Sequence, residues 1–471
     1  MPLKEGGREY TRATPGDVMG RLFGTNGIRG VVNRDLTVEM VVKLASSAGS
    51  ILGSRVALGR DGRISSFLFK EAALSGLLSV GCDVFDLGIV PTPVLQYATK
   101  HFNLDGGLMI TASHNPPEFN GVKVIAGDGV EVSRSVEEKI EGVYFKGGPE
   151  LASWDHVGET HELHAFEPYC TSILSNIDLE AVRRANLKVA VDPGNGVATL
   201  VAPRIAQELG CKTYSVNADV DGMFPSRDSE PRPDNLNDLS ALVQATGADL
   251  GVAFDGDADR AIFVDEKGRI YWGDVSFALV VKEFLKKHPG EAVATPVSSS
   301  RIIKDVVEEG GGSLLWTSVG SVTVSRTMVE RSIKLGGEEN GGIMYAPHQP
   351  VRDGSMAMAL ILEAMAKEAE PASRLFGKLL RYRQMKAKVP CPEHLKSKVM
   401  EKLESSVEAE HIEKIDGIKL WYQDDSWILI RPSGTEPAIR LYAEAKEEAR
   451  VSKLLENGKK NIEEIISKLS H

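Results

Sequence analysis

Three carboxylates, Asp255, Asp257 and Asp259, alternate with Gly256 and Ala258 in the stretch LGVAFDGDADRAIFVDEKG, residues 250–268. Acids this close repel one another unless a cation neutralises them. Hard oxygen ligands of this kind suit Mg2+, which takes few protein carboxylates and fills its shell with phosphate or water. A solvated acidic turn is the plain alternative. A calcium loop is a third, because Asp255, Asp257, Asp259 and Glu266 stand at the first, third, fifth and twelfth positions of an EF-hand. The sixth position of that loop needs glycine and here holds Arg260, and strand-like residues fill its middle, so a calcium loop is not expected.

Ser113 and His114 are adjacent in ITASHNPPEFNGVKV, residues 110–124. Pro116 and Pro117 cannot continue a helix, and Pro116 pushes Asn115 toward extended geometry. Asn120 and Gly121 read as a tight turn. The Ser-His pair is therefore expected on a rigid loop at a strand end, where open α/β sheets place their chemistry; a turn with polar filler is the alternative. LIRPSGTEPAIRL, residues 429–441, reads as an anion cradle. Arg431 offers a bidentate fork, Ser433 and Thr435 offer hydroxyls, and Gly434 lets backbone N–H groups approach. LGGEENGGIM, residues 335–344, surrounds Glu338, Glu339 and Asn340 with glycines, which suits hydroxyl-rich ligands but also an ordinary turn. FGTNGIRG adds the cation of Arg29 between Gly27 and Gly30. Gly194-Asn195-Gly196 mimics a dinucleotide loop, but Thr199 stands where the third glycine belongs. His156, His161 and His164 lack metalloprotease spacing.

These loops need strands to hold them. Residues 107–111 and 122–125 read as strands on either side of Ser113, and 250–254 and 261–265 as strands on either side of the aspartates. RVALGRDGRISS, LKVAVDPGNGVAT and EAVATPVSSSRII, beginning at residues 55, 187 and 291, each run a strand into a small-residue loop and then a helix. That is the βαβ rhythm of parallel or mixed sheets, repeated three times. The tail differs: SWILIRPSGTEPAIRLYAEA alternates in strand fashion and leads into a helix from about Glu447, the pattern of a small antiparallel α+β domain. Boundaries are expected after residues 150, 254 and 370, giving domains 18–150, 151–254, 255–370 and 371–471, with residues 1–17 poorly ordered.

With 471 residues the chain exceeds what one core serves, so roughly three or four domains are expected. A net charge of −11 argues against a nucleic-acid partner. The polar start MPLKEGGREYTRATPGD has no apolar h-region, and no apolar run approaches ~18 residues, so neither a secretory leader nor a membrane span is expected. Cys82, Cys170, Cys211 and Cys391 lie far apart and read as reduced thiols of a cytoplasmic protein.

Taken in order, T-A-S-H-N-P, D-G-D-A-D-R, G-E-E-N-G-G and R-P-S-G-T-E-P resemble the α-D-phosphohexomutase family, from Phe23 to about Ala443. With F-G-T-N-G-I-R-G, the form is most similar to archaeal phosphomannomutase/phosphoglucomutase and phosphoglucosamine mutase members. The resemblance implies three related α/β domains with mixed sheets and a C-terminal α+β domain like the TATA-binding-protein fold, around a central cleft. It implies that Ser113 carries a phosphoryl group, that Ser113, Asp255, Asp257 and Asp259 hold Mg2+, and that a hexose 1,6-bisphosphate is the intermediate. Glu338 and Asn340 would read sugar hydroxyls; Arg431, Ser433, Gly434 and Thr435 would hold the idle phosphate. His114, Lys123, Arg29 and Arg260 would assist at the transferring one. The partners implied are small sugar phosphates, with homo-oligomerisation left open.

The chain departs from the family at two places. Many bacterial relatives end the sugar loop S-G-H, where Asn340, Gly341 and Gly342 stand here, and many have a histidine where Ser321 stands. The proton-transfer roles of those histidines do not carry over, which leaves Lys123 or His114 as candidates. Three rivals remain at this point: a haloacid-dehalogenase-like phosphatase, whose D-x-D would want Thr or Val where Asp259 stands; a calcium module; and an inactive sugar-phosphate binder.

Overall fold

The computed structural model describes residues 22–24, 26–406, 409–434 and 436–469. Four sheets follow one another along the chain. In the first, Ile28–Val31, Phe119–Ala126, Gly106–Ile110, Arg55–Arg60, Asp83–Ile89 and Thr160–Glu162 lie side by side in that order. Its last four strands are parallel and the rest antiparallel. The second sheet orders Ile270–Tyr271, Ala261–Asp265, Leu250–Phe254, Lys188–Asp192 and Lys212–Ser215. The third orders Ser313–Thr317, Ala292–Pro296, Leu335–Gly337, Ile343–Tyr345 and Gln349–Arg352. Both are mixed. The fourth, from Arg383–Pro390 to His411–Glu413 through Ala438–Ala445, Trp427–Pro432 and Ile418–Trp421, is wholly antiparallel. The helices Lys396–Ser406 and Glu448–Leu469 accompany it.

The strands that carry the site are buried because both faces are covered. Gly106–Ile110, Leu250–Phe254 and Ala261–Asp265 are buried at every residue, as expected for central strands with helices on each side. The helix Arg301–Glu309 buries Ile302, Ile303, Val306 and Val307, and Ser300 caps its start. One apolar cluster runs from Leu95 and Met109 through Val191 and Phe254 to Phe277 and Met358. The first three units thus share packing, and the fourth keeps a core of its own around Val399, Ile430 and Val451.

Two expectations are corrected. A division after Phe254 would cut a hairpin, since Leu250–Phe254 pairs residue by residue with Ala261–Asp265 in the second sheet. The aspartate loop therefore belongs to the second unit, because the two strands that flank it pair there. Thr160–Glu162 pairs with Asp83–Ile89 at the edge of the first sheet. Asn120 and Gly121 are not a turn but part of the strand Phe119–Ala126, opposite Gly30 and Arg29. The Asn120 side chain is buried and donates to the Ser65 and Ser66 hydroxyls at 2.8 and 2.9 Å. Tertiary hydrogen bonds replace the local ones that would have made it a turn residue. Residues 1–17 lie outside the described part of the chain.

Candidate active site

Ser113 sits between the strands Gly106–Ile110 and Phe119–Ala126 with φ at 52°, in the left-handed region. For a residue with a Cβ that conformation costs roughly 1 kcal/mol or more and persists only where surroundings hold it. Arg63 does so. Fully buried, it donates to the carbonyls of Ser113 (2.8 Å), Asn115 (2.6 Å), Pro116 (2.6 Å) and Phe119 (3.1 Å). Its Nε pairs with Asp61 at 3.1 Å. Asp61 also accepts from Ser66 Oγ and Thr111 Oγ1, and Thr111 Oγ1 accepts from the Ser113 amide at 2.9 Å. Sequence reasoning missed Arg63; its place in GRDGRISS, at the end of a strand, was the available signal.

The aspartate loop meets this one directly. A Cβ on Gly256 would come within 2.6 Å of the Ser113 carbonyl oxygen, so only glycine permits the approach. Ser113 Oγ donates to Asp255 Oδ2 at 3.0 Å and lies 3.3 Å from His114 Nδ1. Lys123 Nζ bridges Asp257 Oδ2 and Asp259 Oδ2 at 2.6 and 3.1 Å, and Thr92 Oγ1 donates to Asp257 Oδ2 at 2.6 Å. Arg352 NH2 takes Asp259 Oδ2 at 2.5 Å. The outer oxygens are thus engaged, while Asp257 Oδ1 and Asp259 Oδ1 are buried with no hydrogen-bond partner. One oxygen from each of Asp255, Asp257 and Asp259 falls within 4.8 Å of the others. The strand Ala261–Asp265 begins two residues after Asp259, so no calcium loop forms.

Burial pushes the Asp255 carboxyl well above its usual range, and the charges of Asp259 and Asp257 push it further. Burial acts the same way on Asp257, but the Lys123 ammonium outweighs it and holds that carboxyl below its usual range. Burial works against the Lys123 charge, yet Asp257 and Asp259 prevail and raise its pKa. Burial, with Arg260 and Arg29 nearby, drives His114 well below its usual value and keeps it neutral. Arg29, whose NH1 donates to Asn115 Oδ1 at 2.8 Å, is lowered to about 10 by burial. Arg260 lies 3.8 Å from Asp255 and 3.7 Å from Asp259, with Glu230 on its outer side at 3.3 Å. The Nε atoms of Arg29, Arg260 and Arg431 are buried donors without acceptors.

The two glutamates of the GEEN loop point to different partners. Glu338 Oε2 accepts from Arg352 at 3.2 Å, and burial raises its pKa despite that cation. Glu339 pairs with Lys386 of the fourth unit at 3.1 Å and accepts from Ser298 Oγ; here the lysine overrides burial and the pKa falls. Asn340 Oδ1 accepts from the Gly342 amide at 3.2 Å, closing the loop on itself. Arg431 stands apart from this cluster, paired with Asp416 at 3.0 Å. Asp416 in turn accepts from the Val319 amide, which seats the fourth unit against the turn leading to Ser321, and Ser321 Oγ accepts from Asn26. Ser433 is buried beside Gly434, and its carbonyl accepts from Lys396 at 2.6 Å. Thr435 lies outside the described residues. A cavity of about 910 Å³ borders the site at Glu230 and Lys386 without reaching Ser113.

The structure therefore joins Ser113, His114, Lys123, Arg260 and the three aspartates through direct contacts, links Glu338 to them through Arg352, and holds Arg29 on Asn115 Oδ1 beside them. Arg63, Thr92 and Arg352, which the sequence reading did not select, hold them there, and Lys386, likewise unselected, holds the neighbouring Glu339.

Four family descriptions match the chain in order. "Phosphoglucomutase/phosphomannomutase, alpha/beta/alpha domain I" covers residues 20–150, domain II residues 167–268, and domain III residues 272–382. The C-terminal domain of the same family covers residues 387–457. A phosphoglucomutase/phosphomannomutase of Thermococcus kodakarensis is 41% identical over 95% of this chain and 100% of its own length. A phosphoglucosamine/phosphogalactosamine mutase of Sulfurisphaera tokodaii is 42% identical over 94% and 100%. Among solved structures, a phosphoglucomutase/phosphomannomutase family protein of Burkholderia thailandensis superposes with a TM-score of 0.86 at 29% identity, covering 94% of this chain and 97% of that one.

Proposed function

This chain belongs to the phosphoglucomutase/phosphomannomutase family, and from that premise we propose that it interconverts the 6- and 1-phosphates of mannose and glucose through a phosphoserine at Ser113. It is a phosphohexomutase, an isomerase that works by phosphoryl transfer. The observation that carries the residue assignments is the cluster around Ser113 Oγ: unpartnered acid oxygens on Asp257 and Asp259 beside unpartnered guanidinium donors on Arg29 and Arg260. Buried polar atoms are rarely left without partners, so such a set marks where a cation and an anion belong. The orphaned oxygens and the close grouping of the triad fit a divalent ion held by Asp255, Asp257, Asp259 and the Ser113 oxygen. Mg2+ bound there would supply charge neutralisation for the transferring phosphoryl oxygens.

The steps assigned to the chain's own residues begin with phosphorylated Ser113. A free hydroxyl of the hexose monophosphate attacks phosphorus, the P–Oγ bond breaks, and the hydroxyl proton passes to the departing Ser113 Oγ. Lys123 is engaged between Asp257 and Asp259, whereas His114 Nδ1 stands 3.3 Å from Oγ, so His114 is the one of the two candidates placed to pass that proton. Arg29 and Arg260 hold the phosphoryl oxygens, and Arg431, Ser433, Gly434 and Thr435 hold the second phosphate. The hexose 1,6-bisphosphate then turns over and returns its other phosphoryl group to Ser113. Glu338 and Asn340 grip ring hydroxyls common to mannose and glucose and leave the 2-position ungripped.

A second reading, phosphoglucosamine mutase, draws support from the Sulfurisphaera relative and from the additional carboxylate of Glu339. That carboxylate is already paired with Lys386, which favours the neutral hexoses. Phosphorus NMR of the enzyme with Mg2+, a trace of bisphosphate and mannose, glucose or glucosamine 6-phosphate separates the possibilities. Comparable 1-phosphate formation from mannose and glucose is expected, with glucosamine phosphate slower. Inorganic phosphate as the only product would overturn the mutase chemistry, and near-exclusive use of glucosamine phosphate would install the second reading.

A further inference from the structure

Gly342 ends the sugar loop, at the position where the departure from S-G-H leaves no side chain. Its missing side chain has a physical counterpart. A Cβ there would overlap Arg352 Cδ and come within 2.9 Å of Arg352 Cγ, so the arginine stem occupies the space in front of residue 342. Arg352 reaches that space from the end of the Gln349–Arg352 strand, paired with Met344 beside a register shift in the sheet. Its guanidinium is 5% exposed and forks between two units, NH2 to Asp259 Oδ2 at 2.5 Å and NH1 to Glu338 Oε2 at 3.2 Å.

We propose that Arg352 is a positioning residue that replaces the side chain absent at Gly342 with a fixed cation, setting the metal-loop and sugar-loop carboxylates together. By taking Asp259 Oδ2, it leaves the unpartnered Oδ1 as the oxygen available to a cation. By taking Glu338 Oε2, it leaves the other oxygen of that carboxylate for sugar hydroxyls. A planar fork makes both contacts at once, which a lysine ammonium on a flexible stem does not reproduce. The role toward Glu338 rests on the functional reading above; the role toward Asp259 does not.

The test uses full-length protein and two readouts. Calorimetric titration of Mg2+ without substrate reports the metal loop; kcat and KM for glucose 6-phosphate report the sugar loop. Arg352→Met is expected to weaken Mg2+ binding about ten-fold and to raise KM and lower kcat, for a loss of roughly a hundred-fold in kcat/KM. Arg352→Lys, which keeps the charge should Arg352→Met fold poorly, is expected to restore Mg2+ binding more than KM. Gly342→His alone is expected to disrupt the site by overlap. Combined with Arg352→Ala, which clears the space, it is expected to regain activity. Unchanged Mg2+ affinity and KM in Arg352→Met, or a Gly342→His enzyme indistinguishable from wild type, would overturn the proposal. Weakened Mg2+ binding in a protein that isomerises no hexose phosphate would uphold the Asp259 role and remove the functional reading instead.

Discussion

Replacing Arg63 by Met tests what holds the Ser113 loop. Both Arg63 and Asp61 are fully buried, so the change leaves an unpaired carboxylate and four carbonyl oxygens stripped of their donor. Breaking one side of a buried ion pair costs about 3–5 kcal/mol, and an unsatisfied buried acceptor costs ~1–3 kcal/mol. These are not additive, because the loop can relax and admit water. A floor of about 3 kcal/mol is the reasonable expectation from the ion pair alone. For a unit of this size 1 kcal/mol moves the melting point by about 2–4 °C, so the transition of the first unit should fall by roughly 6–20 °C. Methionine keeps most of the volume, which confines the effect to lost hydrogen bonds and charge. Freed of its clamp, Ser113 should leave the left-handed region at φ 52°, and turnover should fall with it. Differential scanning calorimetry gives the first number, and hydrogen exchange over residues 111–121 localises it. Adding Asp61→Asn should recover part of the stability, since no charge is then left alone. An Arg63→Met protein with wild-type melting, exchange and turnover would refute the account of the loop.

Peptide mass spectrometry of freshly purified protein should find phosphate on Ser113, where Oγ faces Asp255; phosphate only on Asp255 would point to hydrolase chemistry. Chelation should abolish activity reversibly, with Mg2+ restoring it, and Asp257→Asn should abolish it permanently by removing a ligand and a partner of Lys123; full activity in excess chelator sinks the metal role. Lys419 is buried among Trp316, Trp421 and Trp427, its ammonium 3.9–4.5 Å from their ring centres, and it donates to Val297 O across units. Burial lowers its pKa from 10.5 to about 7, so between those values the unfolded chain binds a proton that the folded one lacks, and stability rises with pH through that window. Glu444 and Asp274, whose carboxyls burial raises, titrate with the opposite sign, so comparison with Lys419→Met isolates the lysine. The variant should flatten the rise in melting temperature between pH 7 and 10; identical slopes would refute this.

Much of the molecule is written in short stretches of chain. The strands at Leu250–Phe254 and Ala261–Asp265 follow from uninterrupted apolar runs, and the loop between them from alternating acids and small residues. The Ser113-His114 pair, the acid triad and the Arg431–Gly434 stretch proposed to hold a phosphate are likewise local, because each reading needs particular side chains within a few residues of one another. What lies beyond that reach was decided by packing. Arg63 and Ser113 are 50 positions apart, Arg352 and Asp259 93, and Lys386 and Glu339 47. Residue type alone says only that such cations will seek an acceptor. Asn120 shows the same limit from the other side: an Asn-Gly pair favours a turn in isolation, yet strand pairing with Arg29 and Gly30 and two buried serine hydroxyls outweigh that preference. The unit to which the aspartate loop belongs was settled by which strand its neighbour pairs with, a backbone choice that side-chain pattern does not encode. Gly342 is the sharpest case. In sequence it is a missing side chain, and only the fold reveals that another residue's side chain fills its place.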